Sequence, residues 1–443
     1  MEYVKFRMKV EDAVEDQHEF IQRIIDNCGP RLPGSEEERK AAYMIADEFE
    51  KLTGNKTVEE FELHPLAFIG WIPIAGILLF VAAALIFVSP WITGIMVISI
   101  LAFAVIQFIK YLEWFDFLFP KAKSQNVYSI IEPPSGVTRY TIILGGHIDS
   151  SWCWLLPLKS PEKMRYKIIY GFVGAFALIA ISVLLILESY IGPGLGSGTS
   201  FTWLYWVIPF FLPGFWYIHR FLTWDKKWAS PGAMDDLSGI AQAISLVKYY
   251  KIHPEDMPKD CRIILAGFGG EEAGLRGSRA FAKKHKDDLL AGDVWVLNID
   301  GVSDVDHFNL MKGEVMLNVN YNKDFVNIVT TSMKEFGLEK PFWKLDVGAS
   351  DAVTFTRYKK RAYTFCAQDN TPRSNYHTKF DTWENLNPDA LRKMMILLLR
   401  VIEKIDIYVH DYQPEWLVDF VEQSRFIYKV KKAIEPKKSK KSQ

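Results

Sequence analysis

Gly267-Phe268-Gly269-Gly270-Glu271-Glu272-Ala273-Gly274-Leu275-Arg276-Gly277-Ser278 sets two adjacent glutamates directly after a strand-like run, 261–268, and a run of glycines. Like charges at the end of a strand repel unless something cationic lies between them. Working outward, strand-like runs at 57–63, 126–132, 138–145 and 293–299 alternate with helical segments near 11–26, 237–250, 273–286, 322–336 and 387–408. That alternation predicts an α/β domain, a mixed and mostly parallel sheet with helices on both faces. Open sheets of this kind bind ligands at the carboxyl ends of their strands. Ser35, with Glu38 three residues later, predicts a capping box at the start of a helix.

Four further polar motifs fall where strands should end. Ile142-Ile143-Leu144-Gly145-Gly146-His147-Ile148-Asp149 is an apolar strand running into His-x-Asp. Imidazole is a good zinc ligand, and a carboxylate nearby fixes its tautomer, although a lone His-x-Asp is also an ordinary structural pair. Gly232-Ala233-Met234-Asp235-Asp236-Leu237-Ser238-Gly239 pairs two aspartates before a helix, a pattern shared with simple helix caps. Val296-Leu297-Asn298-Ile299-Asp300-Gly301 is another strand ending in a carboxylate, and Tyr376-His377-Thr378-Lys379-Phe380-Asp381-Thr382 puts a histidine in a polar loop.

The apolar residues are concentrated elsewhere. Residues 66–109 contain no charged side chain, and Ser89-Pro90 divides them. A span needs about 20 apolar residues, so this stretch predicts a hairpin of two spans. A second hairpin is expected over 168–219, from 168–187 and about 201–218, joined by Ile191-Gly192-Pro193-Gly194-Leu195-Gly196-Ser197-Gly198. Trp71, Trp91, Trp114, Trp203, Trp206, Trp216 and Tyr217 lie near the ends, as interfacial aromatic residues do. Lys110, Lys163, Arg165, Lys167, Arg220, Lys226 and Lys227 flank the hairpins on the side of the polar sequence, which predicts a cytoplasmic catalytic domain on a multi-pass membrane protein. Four scattered cysteines and a polar, acidic N-terminus without the pattern of a signal peptide agree with a reducing compartment. A net charge of −1 gives no electrostatic case for nucleic acid. The expected organisation is an α/β domain in three pieces (1–64, 120–165 and 226–410), two hairpins (66–109 and 168–219) and a basic tail, 411–443.

Together with Gly29-Pro30-Arg31-Leu32-Pro33-Gly34-Ser35, these motifs resemble, in order, the landmarks of metallopeptidase family 28, the aminopeptidase Y group of co-catalytic zinc exopeptidases. The landmarks are H-x-D, G-A-x-D-[ND]-x-S-G, E-E-x-G-L-x-G-S, a strand-end Asp and Y-H-T-x-x-D-T, and the likeness runs from about residue 20 to 408 around the hairpins. The resemblance implies a three-layer α/β/α zinc-exopeptidase domain, here a membrane-embedded one. It implies two Zn²⁺ ions, with Mn²⁺ or Co²⁺ as substitutes. His147 and Asp300 would bind one ion, Glu272 and His377 the other, and Asp235 both. Three carboxylates and a bridging hydroxide would neutralise the pair of cations. Glu271 would be the general base, Asp149 would orient His147, and Tyr376 would either hydrogen-bond the oxyanion or pack. Asp236 stands where the family often has Asn. In Gly348-Ala349-Ser350-Asp351-Ala352, Ala352 replaces a frequent His, which bears on substrate contacts and not on the metal set. The expected activity is an aminopeptidase acting on peptides beside a lipid bilayer. The alternatives are a carboxypeptidase, a dipeptidase or a glutaminyl cyclase on the same fold, or a non-catalytic membrane scaffold.

Overall fold

The computed structural model describes residue 14 and residues 16–196, 198–338, 342–345, 347–369 and 375–411. The basic tail and the first residues of the helix expected at 11–26 lie outside the described residues.

Among the described residues nine strands form: β1 (Thr57–Leu63), β2 (Ala122–Ile131), β3 (Tyr140–His147), β4 (Cys261–Phe268), β5 (Val294–Val302), β6 (Leu310–Glu314), β7 (Val319–Asn320), β8 (Phe342–Leu345) and β9 (Arg361–Ala367). Six of them make one sheet in the order β1-β2-β4-β3-β5-β9, and β7-β6-β8 make a small second sheet. β4, β3, β5 and β9 run parallel, while β1 and β2 add an antiparallel edge. The runs Ile142-Ile143-Leu144 and Ile263-Ile264-Leu265 are wholly buried, as strands covered on both faces must be. Each such side chain contributes about 1.5–3 kcal/mol by leaving water. Helices Ser238–Ile252 and Pro388–His410 pack on β5, whereas Arg276–His285 and Asp351–Arg357 pack on each other and on the strands β2, β5 and β9. The mixed, mostly parallel α/β sheet expected from the sequence is therefore present.

Two local expectations are corrected. Ser35 does cap helix Glu36–Thr53, its hydroxyl accepting from Glu38 N, but the Glu38 carboxylate does not return the bond to Ser35. It turns inward and accepts from Gly34 N at 2.6 Å. The helix expected at 273–286 starts at Arg276, because Gly274 (φ 94) and Leu275 (φ 61) hold a left-handed turn before it.

The apolar segments form a separate bundle. Helices Ile72–Leu85, Pro90–Ala104, Met164–Ile191 and Leu212–His219 pack around Leu79, Ala82, Val97, Leu178, Ile181 and Phe215. Gly171 and Gly214 let two of them touch: a Cβ on Gly214 would lie 3.0 Å from Gly171 Cα, the close approach that small residues permit. Among the described residues three helices are, by length and composition, long and apolar enough to cross a membrane: Pro90–Ile109, Pro161–Ile191 and Phe201–His219. The fourth expected span is not. Its helix, Ile72–Leu85, has 14 residues, about 21 Å of rise against roughly 30 Å of hydrocarbon. The charge-free run overstated the span because its first residues belong elsewhere: Ala67, Phe68 and Ile69 are buried at the edge of the α/β domain. In the last span, Phe201–Phe211 is a 3₁₀ helix containing Pro209, followed by a short α-helix.

Candidate metal centre

β4, β3 and β5 are adjacent and parallel, so their carboxyl ends release three loops side by side. His147 is the last residue of β3 and pairs in register with Phe268, the last of β4. Glu271 and Glu272 follow three and four residues later, and Asp300 stands near the end of β5. Asp235 lies in the non-helical turn ahead of helix Ser238–Ile252. His377 enters from the loop after β9 with φ 50.

These loops bring all five expected ligands together. One oxygen of Asp235, Oδ1, is 2.9 Å from His147 Nε2, and the other, Oδ2, is 3.1 Å from His377 Nε2. His377 Nε2 is also 3.0 Å from Glu272 Oε1. Ligand atoms of His147, Asp235 and Asp300 lie within 4.8 Å of one another, and so do those of Asp235, Glu272 and His377. A third set, His147, Glu271 and Glu272, places the expected base beside both groups.

Buried carboxylates hold the loops. Asp236 is the hub: its oxygens accept from His147 N, Gly239 N and Gly301 N. There is no room for a side chain at Gly146, where a Cβ would fall 1.9 Å from Asp236 Oδ2. Asp149 accepts from Glu271 N at 3.0 Å and Glu272 N at 2.9 Å. It reaches the His147 ring mainly through its own backbone carbonyl, 3.1 Å from Nδ1, with the carboxylate at 3.5 Å. Glu38 accepts from Gly270 N and from Ser124 Oγ. Asp381 accepts from Met234 N and Asp235 N. Arg31, fully buried, donates to the carbonyls of Ile148, Pro231 and Gly232. Ser151 Oγ meets His377 Nδ1 at 3.2 Å and leaves Nε2 facing Asp235. Tyr376 stacks on His377 with ring centres 3.9 Å apart, and Trp154 packs edge-on against the same imidazole.

Sequence reasoning missed the supports Glu38, Asp381, Arg31 and Ser151. Arg31 and Asp381 stood inside quoted motifs, and Glu38 was read as a cap. Only contacts between loops far apart in sequence reveal their work.

The electrostatics are those of buried acids and imidazoles held in mutual contact. Burial, then Asp235, pushes the Asp300 carboxyl up to about 7. Burial, partly offset by His147 and reinforced by Glu272, raises Glu271 well above the usual carboxylate range. Burial works against the charged form of His377, but Glu272 and Asp235 outweigh it and lift the imidazole to about 10. Burial alone would raise Asp235, yet His147 and His377 draw it below its ordinary value. Asp235 Oδ2 and Glu272 Oε1 are buried without hydrogen-bond partners, although each lies near His377 Nε2. Two histidines and three or four carboxylates, with unsatisfied oxygens aimed between them, suit divalent zinc, and no cysteine takes part. Protons are a poor substitute in so tight a group.

The sequence model of Peptidase family M28 matches residues 223–402. That segment holds Asp235, Glu271, Glu272, Asp300 and His377, while His147 and Asp149 lie ahead of it. Among solved structures the chain is similar to an aminopeptidase from Aneurinibacillus sp. strain AM-1, at 14% identity and a TM-score of 0.52 over 90% of this chain and 95% of that one. It is similar to a zinc aminopeptidase from Bacillus subtilis, at 14% identity and a TM-score of 0.50 over 88% and 94%. An Acidobacteriales bacterium glutaminyl cyclase matches at 15% identity and a TM-score of 0.50 over 89% and 94%. No curated protein matches by sequence. At these identities the likeness establishes the α/β fold alone, and the family match spans most of the candidate ligands.

Proposed function

We propose that the chain is a membrane-anchored, two-zinc aminopeptidase. The reading is carried by one observation: Asp235 turns a different oxygen toward each histidine, at 2.9 and 3.1 Å, so one carboxylate joins two ligand sets. His147 and Asp300 would hold one ion and Glu272 and His377 the other, with Asp235 common to both. Bound zinc would supply a Lewis acid and acidify water toward a pKa of about 7.

The chain's own residues supply the rest. Glu271, partly exposed and next to both ligand groups, takes a proton from the attacking water at its carboxylate. It returns that proton to the leaving amine, as a base whose pKa burial has raised is suited to do. Asp149 fixes the backbone of both glutamates, so the base and its neighbouring ligand move as one unit. Tyr376, held flat against His377, borders the reacting carbonyl and excludes water. The bundle anchors the domain in a bilayer, supported by outward side chains such as Ile95, Phe176 and Trp206, exposed by 62%, 60% and 81%.

The test is purified protein against a peptide with a free or an acetylated N-terminus, alongside Glu271→Gln. The free peptide should be cleaved and the acetylated one spared, and the variant should lose about 10²–10⁴-fold in kcat with its metal retained. Equal cleavage of the two peptides rules out an aminopeptidase, and undiminished turnover in the variant rules out the base.

A further inference from the structure

The segment leaving the first apolar hairpin is ion-paired with Arg276, the residue that follows the turn carrying Glu271 and Glu272. Backbone bonds close that turn: Gly274 N and Leu275 N donate to Glu271 O at 2.7 and 2.8 Å, and Arg276 N donates to Gly270 O at 3.0 Å. The Arg276 side chain, 4% exposed, reaches out of the turn to the segment leaving the hairpin. Its Nη2 lies 3.0 Å from Asp116 Oδ2 and its Nη1 2.9 Å from Glu113 Oε1. Asp116 is buried too, and its second oxygen accepts from Gln107 Nε2 at 2.7 Å. Gln107, fully buried in the last helical turn of the hairpin, also donates to Ala67 O at its start, at 3.2 Å. Beside this polar chain Phe68 packs on Tyr111, with ring centres 4.5 Å apart, and covers Gly274 so closely that a Cβ there would meet its ring at 3.0 Å. The two legs of the hairpin and the glutamate turn therefore share one buried set of contacts. An ion pair removed from water holds its geometry, because losing one partner strands the other charge.

We propose that Arg276 is a positioning residue for Glu271 and Glu272, and that the first hairpin, through Asp116 and Gln107, is the support that fixes it. The proposal rests on the peptidase reading above for its kinetic readout alone. Gln107, Glu113 and Asp116 all lie outside the segment that matches the family. The hairpin then does two jobs, anchoring the domain and completing its catalytic turn.

The experiment compares full-length wild type, Asp116→Asn and Arg276→Lys in phosphatidylcholine vesicles, by steady-state kinetics, zinc content and amide hydrogen exchange. Asp116→Asn should lower kcat by about tenfold or more, the size of effect a small misplacement of catalytic groups produces, with KM within about twofold and zinc content unchanged. The amides of Gly274 and Leu275 should exchange about tenfold faster, while those of Ile143 and Ile264 in the sheet keep wild-type rates. Arg276→Lys keeps the charge and should fall between the two. Unchanged exchange in the turn overturns the proposal. So does a loss of activity that follows lost zinc, or faster exchange throughout the sheet, since either describes a generally weakened fold. If wild type cleaves no peptide, the peptidase reading fails and the exchange rates alone decide this one.

Discussion

At the carboxyl end of the sheet, Asp235 is 4% exposed and lies within 3.1 Å of two histidines. In the bundle, Trp206 is 81% exposed and Ile95 62%. One region buries charge, and the other exposes large apolar surface. In a water-soluble protein the first is costly without a partner ion, and contiguous apolar surface of the second kind marks an interaction site. The two anomalies have opposite signs and, on the proposed reading, call for different partners, a divalent cation for the cluster and hydrocarbon for the bundle. What the chain lacks in each region is legible from the rule that region breaks.

The contrast can be broken from either side. The largest effect is expected at Asp236→Ala, which leaves His147 N, Gly239 N and Gly301 N without their acceptor. Buried donors left unpaired cost about 1–3 kcal/mol each, so chemical denaturation should register a loss of roughly 3–5 kcal/mol with zinc affinity falling in parallel. A loss below about 1 kcal/mol would mean that the loops are held some other way. On the bundle, Ile95→Arg should cost about 2.5–3.5 kcal/mol of insertion into a bilayer. Val137→Arg, on an exposed turn of the α/β domain, should stay within about 0.5 kcal/mol. Equal tolerance of the two arginines in a membrane-insertion assay would remove hydrocarbon as the partner. The smallest effect is in the protons. Without metal, Asp300 keeps its proton up to about pH 7 and His377 up to about pH 10, and both must lose it to become ligands. Zinc affinity should therefore rise with pH, more steeply below 7, where Asp300 must lose its proton as well as the raised imidazoles of His147 and His377, than above it. Calorimetry in buffers of different ionisation enthalpy counts those protons, and a pH-independent affinity would contradict the ligand assignment.

The central strands β3, β4 and β5 were legible because they carry runs of Ile, Leu and Val, a signal that survives without tertiary context, whereas β9 and the small sheet β7-β6-β8 were not among the expected strands. The five candidate ligands were legible for a related reason, since each stands at or just beyond a strand end or in a short polar motif. Other features depend on contacts between segments far apart in the chain. Glu38 follows Ser35 at capping spacing, and only the approach of Gly270 and Ser124 reveals that its carboxylate faces inward. Asp149 looked like the partner of the His147 ring, but its oxygens are taken by the amides of Glu271 and Glu272. The first span was overread because hydropathy does not distinguish Phe68 and Ile69, packed into the α/β domain, from Ile77 and Val81, which face outward. Arg276 fell at an unremarked position of its motif, and its partners Glu113 and Asp116 come from the segment leaving the hairpin.

The most direct measurement is the zinc content of the purified chain, by atomic emission after dialysis against the free ion, for wild type, His377→Ala and Asp235→Ala. Two ions per chain are predicted for wild type, one for His377→Ala and none held tightly by Asp235→Ala. A wild-type value of one ion, or a full complement in Asp235→Ala, would contradict the shared carboxylate.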